Sequence, residues 1–385
     1  MRKSVLILLA AGLFSCNSLN VSQVDSNSKI KHDGFFYYLP KTVVHVDVTV
    51  KETHFLKGPF SQFSAKFTGI SNVITENSFE YSIESVDATP ASIPDTSKLY
   101  YIDSHSLKNR DDFGLWLTAN GCIGGLNLSK KERTDGSPMM ENGSRNIGAS
   151  NSEFEAFEYF ATGNTRVKTD TIFEKIILDT ITIEKQILQH SIIEKSLEDK
   201  AKDAADYIKL ISENRMNLIA GYQEVDYNQA TFERMLAELD DLMQEYMTLF
   251  TGKKIENTYH YRFTIVPENA MKNNSRFLFS FFTSEGIGNE PDSLFVDNMY
   301  YYRLVPGEKS IGISKALSNS KLPKKKGLAY NIPEEATLVI EKGSGEVMFS
   351  AVIPVCQYGI TAFLPTNLRQ VKFKPETGSV EYIER

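Results

Sequence analysis

The sequence predicts an α+β fold: mainly antiparallel β domains at both ends and a central antiparallel αα-hairpin. Three observations predict it. Val44, Val46, Val48 and Val50 alternate with His45, Asp47, Thr49 and Lys51, the period of two that a half-buried strand requires. Between residues 197 and 249 apolar residues recur instead at spacings of three and four, the period of an amphipathic helix. From Tyr259 onward short aromatic and β-branched runs return, separated by turn residues.

The chain opens with Arg2 and Lys3, then ten apolar residues from Val5 to Phe14. A membrane-spanning helix needs about 20 such residues, so this stretch has the length of a signal-peptide core. Leu13-Phe14-Ser15-Cys16 follows and resembles a bacterial lipobox, although Phe14 departs from the usual small residue. Residues 1–15 are therefore expected to be a lipoprotein signal peptide, and Cys16 the lipidation site that tethers the chain to a membrane. Residues 16–33, mostly polar, read as a tether.

Residues 34–150 are expected to form an N-terminal β-rich domain. After the valine strand, Gly58-Pro59 precedes Phe60, Phe63 and Phe67, spaced as one face of a short helix. Strands are expected at 79–86 and 99–103. A hairpin is expected where Asn120-Gly121 separates 114–118 from 122–128. Residues 129–152 are polar and read as a linker.

Residues 151–254 are expected to be a connecting segment and the helical hairpin. A strand is expected at 180–193, then helices at 197–219 and 229–250. Asp226 and Asn228 are candidate N-caps, and Gly252 is suited to the residue after the second helix. Residues 255–385 are expected to be a C-terminal antiparallel β domain, with strands at 259–266, 276–283, 294–304, 336–341, 347–354, 358–364 and 371–374. A turn is expected at Pro375 to Gly378. Gly34-Phe-Phe-Tyr37-Tyr-Leu39-Pro40 lines up with Gly327-Leu-Ala-Tyr330-Asn-Ile332-Pro333, a faint sign of internal duplication.

The lipobox, Tyr38-Leu39-Pro40-Lys41-Thr42, the Gly58-Pro59 helix, Leu249-Phe250-Thr251-Gly252-Lys253 and Gln357-Tyr358-Gly359-Ile360 with Leu364-Pro365 together resemble one family. It is a domain-of-unknown-function family of Bacteroidetes cell-envelope lipoproteins. The resemblance implies an envelope location and the β–αα–β layout. It implies no activity, substrate or catalytic residue.

The residues themselves advertise little chemistry. With 42 basic and 49 acidic residues the net charge is −7, which argues against a nucleic-acid partner. No His-Glu-x-x-His, Cys-x-x-Cys or Gly-x-Ser-x-Gly motif occurs. Thr251-Gly252-Lys253 ends like a phosphate loop, but Met247 stands where the first glycine must be. No catalytic residue and no cofactor is assigned. His45, Asp47 and His54 are weak metal candidates, since ligands at i and i+2 share one strand face. Cys122 and Cys356 are candidates for one disulfide in an oxidising compartment. Two separate buried thiols are the favoured reading. The function expected is a non-enzymatic binding or structural module, with an envelope protein, a glycan or the cell wall as partner. The place expected is the outer membrane, with the periplasmic face preferred and surface exposure the alternative. An envelope hydrolase with a dispersed site is the alternative.

Overall fold

A computed structural model describes residues 19–25, 28–107, 113–132, 165–178, 181–222, 227–319, 327–365 and 368–384. Its elements, in chain order, begin with β1 (Val21–Gln23), β2 (Gly34–Leu56), α1 (Ser64–Phe67), β3 (Ser78–Asp103), β4 (Leu115–Leu117), β5 (Ile123–Leu126), β6 (Thr165–Leu178) and β7 (Ile181–Glu194). Then come α2 (Leu197–Ala220), α3 (Gln229–Thr251), β8 (Lys253–Ile265), β9 (Arg276–Phe282), β10 (Gly286–Gly288), β11 (Met299–Pro306) and α4 (Lys309–Asn319). The last strands are β12 (Leu328–Lys342), β13 (Val347–Leu364), β14 (Gln370–Phe373) and β15 (Val380–Glu384). The fold is α+β and mostly antiparallel sheet.

The chain gathers into two compact units that interleave along the sequence: Met1–Val50, Ile83–Arg145 and His260–Arg385 form the first, Lys51–Ser82 and Asn146–Tyr259 the second. The contiguous segment 34–150 thus contributes to both, because β2 and β3 each run through a unit boundary.

In the first unit, a five-stranded sheet has the order β10-β9-β11-β12-β13 and a four-stranded sheet the order β15-β14-β5-β4. A further sheet, β1-β3-β2-β8, contributes its residues numbered up to 50, 83–103 and 260–265. Alternation in β2 is real: Val44, Val46, Val48 and Val50 are buried. The core gathers Tyr37, Leu39, Ile102, Ile123, Val371 and Phe373, all fully buried. Burying a side chain of this size stabilises by about 1.5–3 kcal/mol, so each of these residues contributes substantially to the unit's stability. The stretch read as a tether enters this body: Val21–Gln23 pairs with Tyr100–Ile102, and Leu19 and Val21 join the core.

In the second unit, β6 and β7 form a ribbon paired from Thr165↔Glu194 to Leu178↔Ile181. Helix α2 starts at a capping box: the Ser196 side chain accepts from Asp199 N–H and the Asp199 side chain accepts from Ser196 N–H. Helix α3 starts at Asn228, whose side chain accepts from Thr231 N–H. It ends at Gly252 with φ +85°, and Gly252 N–H donates to Thr248 carbonyl. This is a helix terminus and not a phosphate loop. Tyr207 stacks on Tyr246 with centroids 5.7 Å apart, and Arg215 Nε donates to Asp240 Oδ1 at 2.5 Å. Phe60, Ala201, Ala204, Leu249 and Phe250 form the core, Phe60 N–H donating to Leu249 carbonyl.

Several boundaries differ from expectation. Residues 78–103 form one strand and not two, and 347–364 likewise. Residues 296–298 form a 3-10 turn, leaving β11 to begin at Met299. Helix α4 and ribbon strand β6 were not expected from periodicity. The polar linker beyond residue 132, Asp226 and the leader with Cys16 lie outside the described residues.

Candidate functional site: a polar cleft in the first unit

Strand β12 supplies the floor of a cleft of about 610 Å³, through Tyr330, Asn331 and Ile332. That volume is within the range of small-ligand sites. Its walls are partly apolar, from Pro90, Pro333, Pro354 and Val380. Its rim carries two positive and two negative side chains, Lys309, Lys374, Glu335 and Glu376.

The floor is held by a buried polar network. Asn331, wholly buried, donates from Nδ2 to the carbonyl oxygens of Pro40 and Thr377 at 2.8 and 3.1 Å, while Lys98 Nζ donates to its Oδ1 at 3.4 Å. Thr42 continues the network. Its Oγ1 donates to Pro354 carbonyl at 3.0 Å and accepts from Cys356 N–H at 3.0 Å. The Gln357 amide pairs with the backbone of Thr42 on both sides, accepting from N–H at 2.9 Å and donating to the carbonyl at 2.6 Å. Buried polar groups satisfied this fully define one geometry.

Glu334 positions the wall. It is 1% exposed, and its carboxylate accepts from the N–H groups of Lys309, Ser310 and Glu335. Burial raises its pKa, but hydrogen bonds from Ser310, Lys309 and Glu335 outweigh that and hold it below the usual carboxylate range. A carboxylate on the first amides of α4 satisfies otherwise unpaired donors and complements the helix dipole. It therefore fixes where Lys309 stands, and Lys309 Nζ reaches Glu335 Oε1 at 3.4 Å. Lys374 and Glu376 are exposed, and their side chains make no hydrogen bond or ion pair among the described residues.

The sequence candidates lie elsewhere. His45 Nδ1 meets Thr264 Oγ1 at 3.2 Å. Asp47 is gripped by Arg262, Nε to Oδ1 at 2.6 Å and one terminal nitrogen to Oδ2 at 3.1 Å. That carboxylate is committed to a guanidinium and is not available to a metal. His54 belongs to the second unit, where its Nε2 lies 3.2 Å from Glu52 Oε2 as a charge neighbour without hydrogen-bond alignment. The three do not form a ligand set.

Cys122 and Cys356 are free thiols, both buried. Burial, with the charge of Cys356 adding to it, pushes Cys122 up to about 12. Burial also raises Cys356, whose Sγ donates to Thr377 carbonyl at 3.3 Å. Neither is a nucleophile at neutral pH.

Periodicity and motifs missed the cleft, and also one cluster at the end of β3. There His32 Nδ1 lies 3.1 Å from Asp103 Oδ2, and His105 Nδ1 lies 3.9 Å from Asp103 Oδ1. The i, i+2 spacing of Asp103 and His105 was a local signal for it.

The family model described as Domain of unknown function (DUF4831) matches residues 33–381, and the chain belongs to that family. No curated protein and no solved structure matches it.

Proposed function

We propose that this family member is a lipid-anchored cell-envelope protein of Bacteroidetes, held at the outer membrane through Cys16, and that it works as a non-enzymatic binding module for a glycan of the envelope or cell wall. The cleft is the binding surface. Sugars offer hydroxyls that both donate and accept, together with apolar ring faces. The observation that carries the reading is the pairing of uncommitted Lys374 and Glu376 with proline and tyrosine surface around one cleft. The leader and lipobox support the anchor. The central helices read as one antiparallel hairpin, because residue 207 meets 246 and 215 meets 240.

A hydrolase is the second reading, favoured by one feature: Glu335 and Glu376 line the same cleft, and glycoside hydrolysis uses two carboxylates. Co-sedimentation of soluble Cys16→Ser protein with purified cell wall tests the proposal, with release of new reducing ends assayed in parallel. Sedimentation without release supports a binding module. Release supports the hydrolase. Neither sedimentation nor release sinks both.

A further inference from the structure

We propose that His32, Asp103 and His105 form a binding site for a divalent transition-metal ion of the zinc class. One ligand-type atom from each residue lies within 4.8 Å of the other two. The imidazole centroids are 4.1 Å apart, and both rings present Nδ1 to one carboxylate. Zinc binds imidazole nitrogen and carboxylate oxygen at about 2.0–2.2 Å, so ligand atoms around one ion stand about 3.3–3.5 Å from each other. The Nδ1 atoms of His32 and His105 already stand 3.1 and 3.9 Å from the Asp103 carboxylate oxygens, close to that spacing.

The backbone beneath them is fixed. The Tyr101 hydroxyl donates to His32 carbonyl at 2.5 Å, and Ser104 N–H donates to Asp33 carbonyl at 3.0 Å. Gly34 permits this close approach, since a Cβ there would fall 2.2 Å from Ile102 carbonyl oxygen. Asp103 Oδ1 also accepts from His105 N–H at 2.9 Å, which holds two of the ligands in one turn. His32 comes from the segment leading into β2, so an ion would brace the start of β2 against the end of β3.

The donor set selects the metal class. Two imidazoles and one carboxylate suit zinc, iron, nickel or copper, whereas magnesium and calcium prefer all-oxygen sites. The Asp103 side chain is 15% exposed and the imidazoles 43% and 51%, so an ion enters from solvent and keeps water at its open positions.

The test is calorimetric titration of metal-stripped Cys16→Ser protein with Zn²⁺ alone at pH 7.5. One ion per chain should bind with micromolar affinity and raise the melting temperature. His105→Gln should weaken binding at least about tenfold, as should His32→Gln, since even outer-sphere changes cost that much. His190→Gln, whose ring meets Thr169 in the second unit, should bind as wild type. If His105→Gln fails to fold, His32→Gln decides by the same threshold. Absence of stoichiometric binding, or equal binding by the histidine variants and wild type, would overturn the site.

Discussion

Asn331 donates from its side-chain nitrogen to the carbonyl oxygen of Pro40 at 2.8 Å, with no part of the asparagine exposed. The bond joins β12 to β2 across 291 residues of sequence. Above it lies the cleft, so the shape of the candidate site depends on a buried hydrogen bond as well as on apolar packing. Asn331→Leu keeps the volume and removes the donor. Pro40 carbonyl then loses this donor, and Thr377 carbonyl keeps only the weak Cys356 thiol. A buried hydrogen bond contributes about 1 kcal/mol net, and two are removed, so urea unfolding should show a loss of about 2 kcal/mol. No measurable loss would mean the network relaxes.

Glu52 gives the second unit an acid-sensitive element. Burial would raise its pKa, but hydrogen bonds from Tyr81, Asn257 and Tyr259, with His54 alongside, hold it down to about 2. The folded value lies below the unfolded one, so the stabilisation is present above about pH 4.5 and is lost as pH falls toward 2. A shift of this size corresponds to stability on the order of 3 kcal/mol. Glu52→Gln should flatten the acid limb of the stability curve between pH 5 and 2. An unchanged slope there would contradict it.

The two buried cysteines should be silent in the native state. A thiol reagent at pH 8 should label neither Cys122 nor Cys356 in Cys16→Ser protein, then label both once the chain is unfolded without reductant. Burial removes access and raises both thiols, so rate and thiolate fraction act in the same direction. Labelling of fewer than two thiols after unfolding would reveal a disulfide.

Cys16→Ser should move the protein from the outer-membrane fraction to the soluble fraction of fractionated cells, since more than one acyl chain is needed for stable attachment. Continued pelleting with the membrane would show that lipid does not hold it.

Much of the fold was legible because its signals are local. Helix ends were marked by Asn228 and Gly252, and β2 by its valines. Where two strands were expected, β3 runs unbroken through Pro90 and Pro94. Proline is tolerated on a strand edge without a partner, and β1 covers only Tyr100–Ile102 on that side of β3. The cleft was not legible, because Thr42, Pro90, Tyr330 and Lys374 meet only through sheet pairing. His45 and Asp47 were correctly placed on one strand, yet nothing near them in sequence announces Arg262, 215 residues away, which takes the carboxylate. His32 was hidden for the same reason, 71 residues from Asp103 and in a stretch too polar to look folded.

The most direct test of the cleft as a glycan-binding surface is calorimetric titration of soluble Cys16→Ser protein with muramidase-solubilised cell-wall glycan, repeated with Lys374→Ala/Glu376→Ala. Both residues are exposed, so the double variant should keep the wild-type melting temperature. Loss of two charge-assisted hydrogen bonds, each contributing about 1.5 kcal/mol or more, should weaken binding at least about tenfold. Equal affinity in the two proteins, or no heat of binding from wild type, would contradict the account.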